Sequence, residues 1–451
     1  MNKNFKRILI VGLAAGLLVS SLAGCSSDTA DETASDSSDS DSSTTSSAYD
    51  TYEGDVCEEI LGLPAETVIG TVEGEDLTIL DLAYWLTYDT NILAYYYYGS
   101  LDSISWDDEY SDEMTMAEYV KEDALAIAVN YKILDLKAQE LGLELTEDQE
   151  EYVDEIMNDY VVTFGEALWD EAVEDGTIDE DDYDDDEKDA WIQEAGEADL
   201  INEAAIYVTT VDYLRYMNEI YQIYSNIQDY YFGEGGEYEP TEEDVEQYIE
   251  DEGYVASQSI LFMTLEDEDG ESVDFADMDD DQKAQLKAEA QTALDDILSS
   301  DDPDTTFGEY QEERSDDTGA TTAGATYTFQ DGDMVDEYYD AVVALEEGEM
   351  CTELVESEDY GYFIIKRCSV ESDDVPTLYA DYGYTIEYLY INDSFGTMIN
   401  TWKSEADIET NDLYDDIDME SFSANLLELE ETLYPSDDED DEEEEDEEEE
   451  E

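Results

Sequence analysis

Acidic side chains outnumber basic ones so strongly that charge is the first constraint on this chain. Its 451 residues include 132 Asp and Glu but only 14 Lys and Arg, for a formal net charge of −118. Nucleic-acid binding needs clustered Lys and Arg, so no nucleic-acid partner is expected. A hydrophobic content of 41% still allows apolar cores, and the length suffices for about two or three domains. The charge indicates a surface adapted to a cation-rich exterior; a dedicated cation-binding role is the alternative.

The N-terminus has the organisation of a bacterial secretion signal. A basic start precedes an apolar run that is too short for a stable membrane span. The run ends in L-A-G-C at residues 22–25, which resembles the lipobox, where the cysteine thiol receives a diacylglycerol. This resemblance implies a signal peptide at residues 1–24 and a lipid anchor on Cys25, at the outer face of the bacterial cytoplasmic membrane. The alternative is an ordinary secretory peptide in which Cys25 is incidental.

Two segments are too polar to contribute to a core. Residues 25–60 are rich in Ser, Thr and Asp, which predicts a flexible tether between the bilayer and the folded part. Residues 435–451 are nearly all acidic, and mutual repulsion predicts an extended, disordered tail. The tail is interpreted as a solvated extension; a role in binding divalent ions or other proteins is the alternative.

Residues 61–250 have the patterns of a mostly helical domain that begins with a hairpin. Residues 68–78 alternate apolar and polar side chains around E-G-E, which is typical of two short strands and a turn. Thr78 then starts a helical pattern, and Thr146 with Gln149 forms a capping box before another. Further along, Tyr and Ile recur at helical spacing, which predicts a buried stripe; an exposed apolar groove is the alternative.

The pattern changes to mixed α and β over residues 251–370. YVASQSILF at residues 254–262 predicts an opening strand, and helical segments separate it from a later hairpin. Cys351 and Cys368 flank this hairpin. A disulfide would join them if they lie opposite each other on paired strands, which the sequence leaves open. Residues 371–434 return to a helical pattern.

The order of these segments resembles the extracytoplasmic foldase lipoproteins of the PrsA type and the related SurA proteins, which contain a parvulin-type (PpiC) peptidyl-prolyl isomerase domain. The resemblance implies an α+β fold. A parvulin-like domain at residues 251–370, with a small antiparallel sheet and flanking helices, is inserted between the helical chaperone domain and a C-terminal helical segment that packs on it. The motifs that carry it are KAQELGLELTEDQEEYVDEI, TEEDVEQYIEDEGYVASQSILF, TFGEYQEERSDD, GDMVDEYYDAVVALEEGEM and YGYFIIKR.

The resemblance also implies site residues, with one departure from the family's pattern. The two motif histidines are replaced by Ser259 and Phe363, in a chain that has no histidine. Asp317 stands where parvulins place Cys or Asp, so Asp317 and Ser259 are the implied catalytic residues. The implied substrate-binding residues, which would receive the proline ring, are Met334, Tyr338, Phe363, Thr326 and Phe329.

Two functions follow from this resemblance. In the first, the protein assists the folding of secreted proteins and isomerises prolyl bonds, with activity weakened by the loss of both histidines. Isomerisation makes and breaks no covalent bond and needs only tighter binding of the twisted amide than of the planar one. In the second, the domain is non-catalytic and the protein is a lipid-anchored chaperone. A solute-binding lipoprotein is a third class, which the embedded parvulin-like segment disfavours.

The expected partners are unfolded or newly secreted polypeptides, prolyl peptides, and the membrane through Cys25. The tyrosine-rich helices suit contact with unfolded chains, because a tyrosine ring is large, rigid and polar at one end. The surrounding acid favours basic segments. No cofactor is expected, and without histidine only carboxylate sites for hard cations remain. The sequence leaves the oligomeric state open.

Overall fold

The computed structural model describes residues 51–111, 114–266, 272–319 and 322–434. The predicted signal peptide, Cys25, most of the predicted tether and the acidic tail lie outside the described residues. None of the helices in the described ranges combines the length and the apolar composition that crossing a bilayer requires. The chain divides into two compact units: one runs up to Tyr231 and resumes at Gly396, and the other is Phe232–Phe395.

Helices make up most of the first unit, and capping residues set where they begin. Thr78 caps a helix and Thr146 forms a capping box, as predicted. Thr78 and Thr115 also form capping boxes. Residues 56–60, which the sequence assigned to the tether, lie in the helix Val56–Leu61, which has a buried face. In chain order the helices are Val56–Leu61 (α1), Ile79–Leu93 (α2), Met116–Leu141 (α3), Glu147–Glu174 (α4), Asp185–Ile206 (α5), Val211–Phe232 (α6), Glu242–Glu252 (α7), Asp280–Ser299 (α8), Pro303–Arg314 (α9), Asp336–Val343 (α10), Ile386–Glu405 (α11), Asp412–Asp415 (α12) and Met419–Leu433 (α13).

The strands form small antiparallel sheets. They are Val68–Val72 (β1), Glu75–Thr78 (β2), Glu109–Ser111 (β3), Met114–Thr115 (β4), Val255–Phe262 (β5), Thr264–Glu266 (β6), Ser272–Asp274 (β7), Tyr327–Phe329 (β8), Val355–Ser357 (β9), Gly361–Cys368 (β10) and Ile408–Thr410 (β11). The predicted hairpin is confirmed as β1–β2, which turns at Glu73 and Gly74 with positive φ at both. In the first unit, β11 pairs with β1 and gives the order β11-β1-β2.

Helices α4 and α5 of the first unit cross closely at one glycine in each helix. A Cβ added at Gly165 would lie 2.0 Å from the carbonyl oxygen of Ile192, and one at Gly196 would lie 1.8 Å from that of Val161. Real Cβ atoms do not approach backbone this closely, so the two helix backbones pack at a distance that only glycine allows. The contact fixes how α4 and α5 meet.

The second unit contains a four-stranded antiparallel sheet in the order β8-β5-β10-β9. Helices α8, α9 and α10 pack against this sheet. Every residue of β5 except Gln258 is buried, which matches an opening strand with almost no polar alternation. Fully buried side chains at the centre of the core include Ile260, Phe262, Leu294, Phe307 and Ile364. The apolar residues of YVASQSILF therefore form part of the core of this unit.

The predicted fold class is confirmed. A small antiparallel sheet with flanking helices lies, in sequence, between helical N-terminal and C-terminal parts. The second unit begins before the strand β5 and includes the start of α11.

Candidate functional site

Strand β5 brings two serines and a leucine to one face of the second unit's sheet. Ser257, Ser259 and Leu261 alternate along the strand, so their side chains share a face. On the neighbouring strand β10, Ile365 lies opposite Ser259, and Phe363 lies opposite Leu261. The two residues that replace the motif histidines therefore lie on the same face of adjacent strands.

Tyr338 of α10 is the centre of this face. Its side chain is 4% exposed, and its hydroxyl lies 2.8 Å from Oγ of Ser257. Its ring meets that of Phe363 edge to face at 5.1 Å between centroids, and it lies 5.8 Å from that of Phe329. Such aromatic contacts add to the stability from burial. Phe329 is completely buried. We call Tyr338, Phe363 and Phe329 together the aromatic floor of the candidate site.

Buried hydroxyls surround the Tyr338 phenol. Burial raises the pKa of Tyr338, while hydrogen bonding from Ser257 and the nearby Ser259 lowers that pKa. Ser259 Oγ is itself buried and makes no hydrogen bond of good geometry among the described residues. A buried hydroxyl without a well-placed partner costs free energy, which a ligand able to bond with it would recover.

A short segment after α9 places Asp317 beside strand β5. Ser315 Oγ accepts the Leu261 N–H at 3.1 Å, and the Asp316 N–H donates to the Leu261 carbonyl at 2.8 Å. The Asp316 carboxylate also accepts the N–H groups of Met263 and Thr264, both at 2.7 Å. These bonds hold the segment against the end of the strand, so Asp316 is a positioning residue for Asp317.

The Asp317 carboxylate is half-buried and has a phenol as its partner. Its Oδ1 accepts the hydroxyl of Tyr327 at 2.8 Å and the N–H of Gly319 at 3.0 Å. Tyr327 lies directly opposite Ser257 in the pairing of β8 with β5. Burial, followed by the hydrogen bond with Asp317, raises the pKa of Tyr327, so its phenol stays protonated and continues to donate.

The sequence analysis did not identify Tyr327 as a site residue. The family resemblance implied Thr326, one position earlier, instead. The strand pattern could have indicated Tyr327, because residues two apart on a strand share a face and Tyr327 lies two residues before Phe329.

The substrate-binding role of Thr326 stays a prediction, and the structure places its hydroxyl beside Gln258 rather than in the aromatic floor. Thr326 is exposed and donates to the carbonyl of Gly324, and its hydroxyl accepts from Gln258 Nε2 at 3.4 Å. Gln258 lies between Ser257 and Ser259 in β5, so its side chain lies on the other face of the strand. Met334 is partly buried against the core that contains Tyr338, Phe363 and Phe329.

Cys351 and Cys368 do not form the disulfide that the sequence left open. Both thiols are free. The Cys351 N–H bonds to the carbonyl of Ile365, whereas Cys368 pairs with Ala256 on β5. Cys351 therefore lies opposite a residue three positions before Cys368. In the described part of the chain, no group of three His, Cys, Asp or Glu side chains is arranged to hold a metal ion.

Comparison with known proteins identifies the class of this domain. Residues 260–369 match the family model described as "Rotamase: PPIC-type PPIASE domain". This part of the chain is a parvulin-type peptidyl-prolyl isomerase domain, and the predicted resemblance is confirmed for it. The match includes Asp317, Tyr327, Tyr338 and Phe363 but begins one residue after Ser259.

Solved structures of foldases are also similar to the chain. PrsA from Bacillus subtilis is 17% identical, with 70% of this chain and 98% of that chain covered and a TM-score of 0.21. PrsA from Streptococcus pneumoniae is 15% identical, covering 70% and 97%, with a TM-score of 0.27. A SurA-like chaperone structure from Campylobacter jejuni is 15% identical, covering 61% and 90%, with a TM-score of 0.20. No match was found among curated proteins.

Proposed function

We propose that the protein is an extracytoplasmic folding factor whose parvulin-type domain binds prolyl segments of unfolded polypeptides and accelerates their cis–trans isomerisation. The observation that carries this proposal is the Asp317–Tyr327 pair, which lies half-buried on the sheet face whose floor is Phe329, Tyr338 and Phe363. Apolar surface and a fixed polar pair on one face are what a prolyl amide requires. Loss of the motif histidines makes the expected activity weaker than that of a typical parvulin.

The proposed mechanism uses binding alone. Rotation about the prolyl amide has a barrier of about 18–20 kcal/mol because of partial double-bond character. A site lowers this barrier when it binds the twisted amide more tightly than the planar one. Met334, which is partly buried, would contact the proline ring above the aromatic floor. The Asp317–Tyr327 pair would then interact with the amide as its carbonyl dipole rotates, and the Ser259 hydroxyl would offer a further hydrogen bond.

An isomerisation assay on proline peptides tests this proposal. Asp317→Ala removes the carboxylate, and we expect it to lower kcat/KM by about tenfold, the range of one lost hydrogen bond to a charged group. Asp331→Ala is the matched control, because Asp331 is an exposed carboxylate of the same unit outside the site. No acceleration by the wild type, or equal rates for wild type and Asp317→Ala, would exclude the isomerase role for this site.

The second candidate function is that of a chaperone without catalysis. The burial of the aromatic floor favours this function, because Tyr338 and Phe363 are only 4% and 7% exposed. Phe363 also fills a position that holds histidine in the family. A chaperone that only binds would suppress aggregation of unfolded proteins without accelerating prolyl isomerisation. Measuring both activities on the same preparation separates the two functions.

The location is part of the proposal. The L-A-G-C sequence at residues 22–25 supports a mature protein anchored by a diacylglycerol on Cys25 at the outer face of the cytoplasmic membrane. Mass spectrometry of the mature N-terminus tests it. Cys25→Ala should abolish the lipid adduct and release the protein from the membrane fraction. An unmodified Cys25 in the mature wild type would contradict the anchor.

A further inference from the structure

A row of stacked tyrosines lies on the second unit, at residues that are not part of the candidate isomerase site. The rings of Tyr382 and Tyr384 are 5.4 Å apart with an interplanar angle of 18°, and those of Tyr384 and Tyr388 are 4.7 Å apart at 27°. We name these three residues the tyrosine ladder. Tyr382 is 70% exposed, and Leu378, four residues earlier in the chain, is 63% exposed. Large exposed side chains grouped in this way are typical of an interaction surface.

The ladder is held rigidly from beneath. Tyr384 packs against a small core formed by Val245, Tyr254, Ile386 and Leu389. The N–H groups of Tyr382 and Gly383 both bond to the carbonyl of Tyr379, and the N–H of Ile386 bonds to the carbonyl of Asp374. A preorganised surface loses little conformational entropy when a partner binds.

The charge around the ladder is of one sign. Residues 371–394 contain six Asp and Glu and no Lys or Arg. Asp381, adjacent to Tyr382, and Glu387, adjacent to Tyr388, are both exposed. Carboxylates also face the ladder's base, where burial and then Asp393, Asp333 and Glu252 raise the pKa of Tyr379. The surface therefore combines aromatic faces with a negative potential.

Cations and aromatic rings already associate elsewhere in this chain. Six Lys or Arg side chains of the described residues lie over aromatic rings, at 4.2 to 5.2 Å from the ring centroid. The face of a tyrosine ring attracts a cation, and nearby carboxylates strengthen that attraction. The ladder offers the same faces to a partner outside the chain.

We propose that the tyrosine ladder is a docking surface for a lysine-rich or arginine-rich segment of an unfolded polypeptide. The aliphatic stems of Lys and Arg would pack on Tyr382 and Leu378, and their charged ends would lie near Asp381 and Glu387. This inference rests on the proposed function only for the biological source of the segment. None of the three ladder residues belongs to the proposed isomerase site.

The test measures peptide affinity of the mature chain at about 0.15 M salt, where exposed charges more than about 8 Å apart are screened. The probe is a labelled, proline-free peptide of alternating Lys and Ser, with a Glu and Ser peptide as its charge-reversed twin. Tyr382→Ala should raise Kd for the Lys peptide about two- to fivefold, the range of an exposed cation–π contact. Tyr382→Phe keeps the ring face and should bind like the wild type.

Tyr97→Ala is the matched control, because Tyr97 is 75% exposed and lies in the first unit. It should leave Kd unchanged. Equal Kd values for wild type, Tyr382→Ala and Tyr97→Ala would overturn the proposal, because the net charge alone would then explain the binding. Tighter binding of a soluble, uncharged polysaccharide that Tyr382→Ala abolishes would also overturn it and assign the ladder to glycans.

The two proposals fail separately. The Lys peptide contains no proline, so its binding does not depend on the isomerase site. Tyr382→Ala should also leave the isomerisation of short proline peptides at the wild-type rate. A protein without isomerase activity that still discriminates between Tyr382→Ala and Tyr97→Ala would retain the docking surface and lose the proposed catalysis.

Discussion

Two phenols occupy the polar part of the candidate site in a chain without histidine. Tyr327 donates to Asp317, and Tyr338 shares a hydrogen bond with Ser257. An imidazole changes charge near neutral pH, whereas a phenol does so several pH units higher. Burial raises the pKa of both phenols further. Both phenols therefore keep their protons throughout the physiological pH range.

We expect kcat/KM for a proline peptide to stay constant from about pH 6 to pH 8.5, because the chain has no imidazole and these phenols titrate higher. Exchange spectroscopy by NMR measures the rate. Phe363→His provides the comparison, since it restores an imidazole at the motif position and should introduce a titration near pH 6.5. A bell-shaped profile for the wild type in this range would contradict the expectation.

Glu430 in the first unit carries a second pH effect. Burial raises the pKa of its carboxyl to about 7, and the neighbouring carboxylates of Glu203 and Glu431 add to the rise. The folded state therefore holds a proton between about pH 4.5 and 7 that the unfolded state has lost, so the contribution of this group to stability falls as pH rises through that window. Above it, the ionised form costs about 3 kcal/mol relative to the unfolded chain.

Glu430→Gln removes this titration. We expect the variant to match the wild type near pH 5 and to gain up to about 3 kcal/mol of unfolding free energy over it near pH 8. Urea unfolding of both proteins at several pH values gives the difference directly. Glu428→Gln is the control, because Glu428 is exposed on the same helix and is not among the groups that raise the pKa of Glu430. A difference that does not change with pH, or the same change in the control, would contradict the assignment.

At the scale of elements, the close contact between α4 and α5 depends most clearly on particular residues, the glycines at which the two helices cross. Gly196→Ala would place a Cβ 1.8 Å from the carbonyl oxygen of Val161, which belongs to backbone and cannot rotate away. We expect a loss of about 2–3 kcal/mol of unfolding free energy as the helices separate. Thermal unfolding followed by circular dichroism measures it.

Gly308→Ala is the matched control for this substitution. Gly308 lies in α9, and its added Cβ would lie 3.3 Å from the Cβ and 3.9 Å from the Cα of Ala323. Alanine is favoured over glycine inside a helix, so we expect a change within about 1 kcal/mol. Equal losses for Gly196→Ala and Gly308→Ala would show that the crossing is not specially tight.

Local signals made many of the elements predictable. Thr78 and Thr146 bond to backbone groups three residues away, so their capping boxes can be read from the sequence alone. The hairpin β1–β2 also closes within a few residues. The pairing of β1 with β11 joins segments far apart in the chain, and no local pattern specifies it.

Strand phase and register decide which side chains meet at the candidate site. A one-residue difference decided that Tyr327, and not Thr326, shares a face with Ser257. Val355 pairs with Phe363, but Met350 pairs with Lys366, so the register changes between them and Cys351 moves away from Cys368. The partners of Tyr338 and Asp317 come from different segments, and only the folded chain brings them together.

At the scale of the whole molecule, the charge of −118 opposes compaction. Carboxylates on a folded surface lie closer together than in the unfolded chain, and their repulsion destabilises the folded state. Salt screens this repulsion, with a Debye length that falls from about 30 Å at 0.01 M to about 10 Å at 0.1 M. A surface adapted to a cation-rich exterior and a dedicated cation site both predict stabilisation by salt, and they differ in how it depends on the cation.

General screening depends on ionic strength and not on the identity of the cation. We expect Tm to rise by several degrees between about 0.01 M and 0.5 M salt, by the same amount for sodium chloride and choline chloride, because screening is complete within a few Å at the higher value. Differential scanning calorimetry at matched ionic strength measures it. A larger rise with about 1 mM calcium chloride than its ionic strength explains would indicate carboxylate sites for a hard cation. An equal rise would leave the acidic surface as an adaptation to its medium.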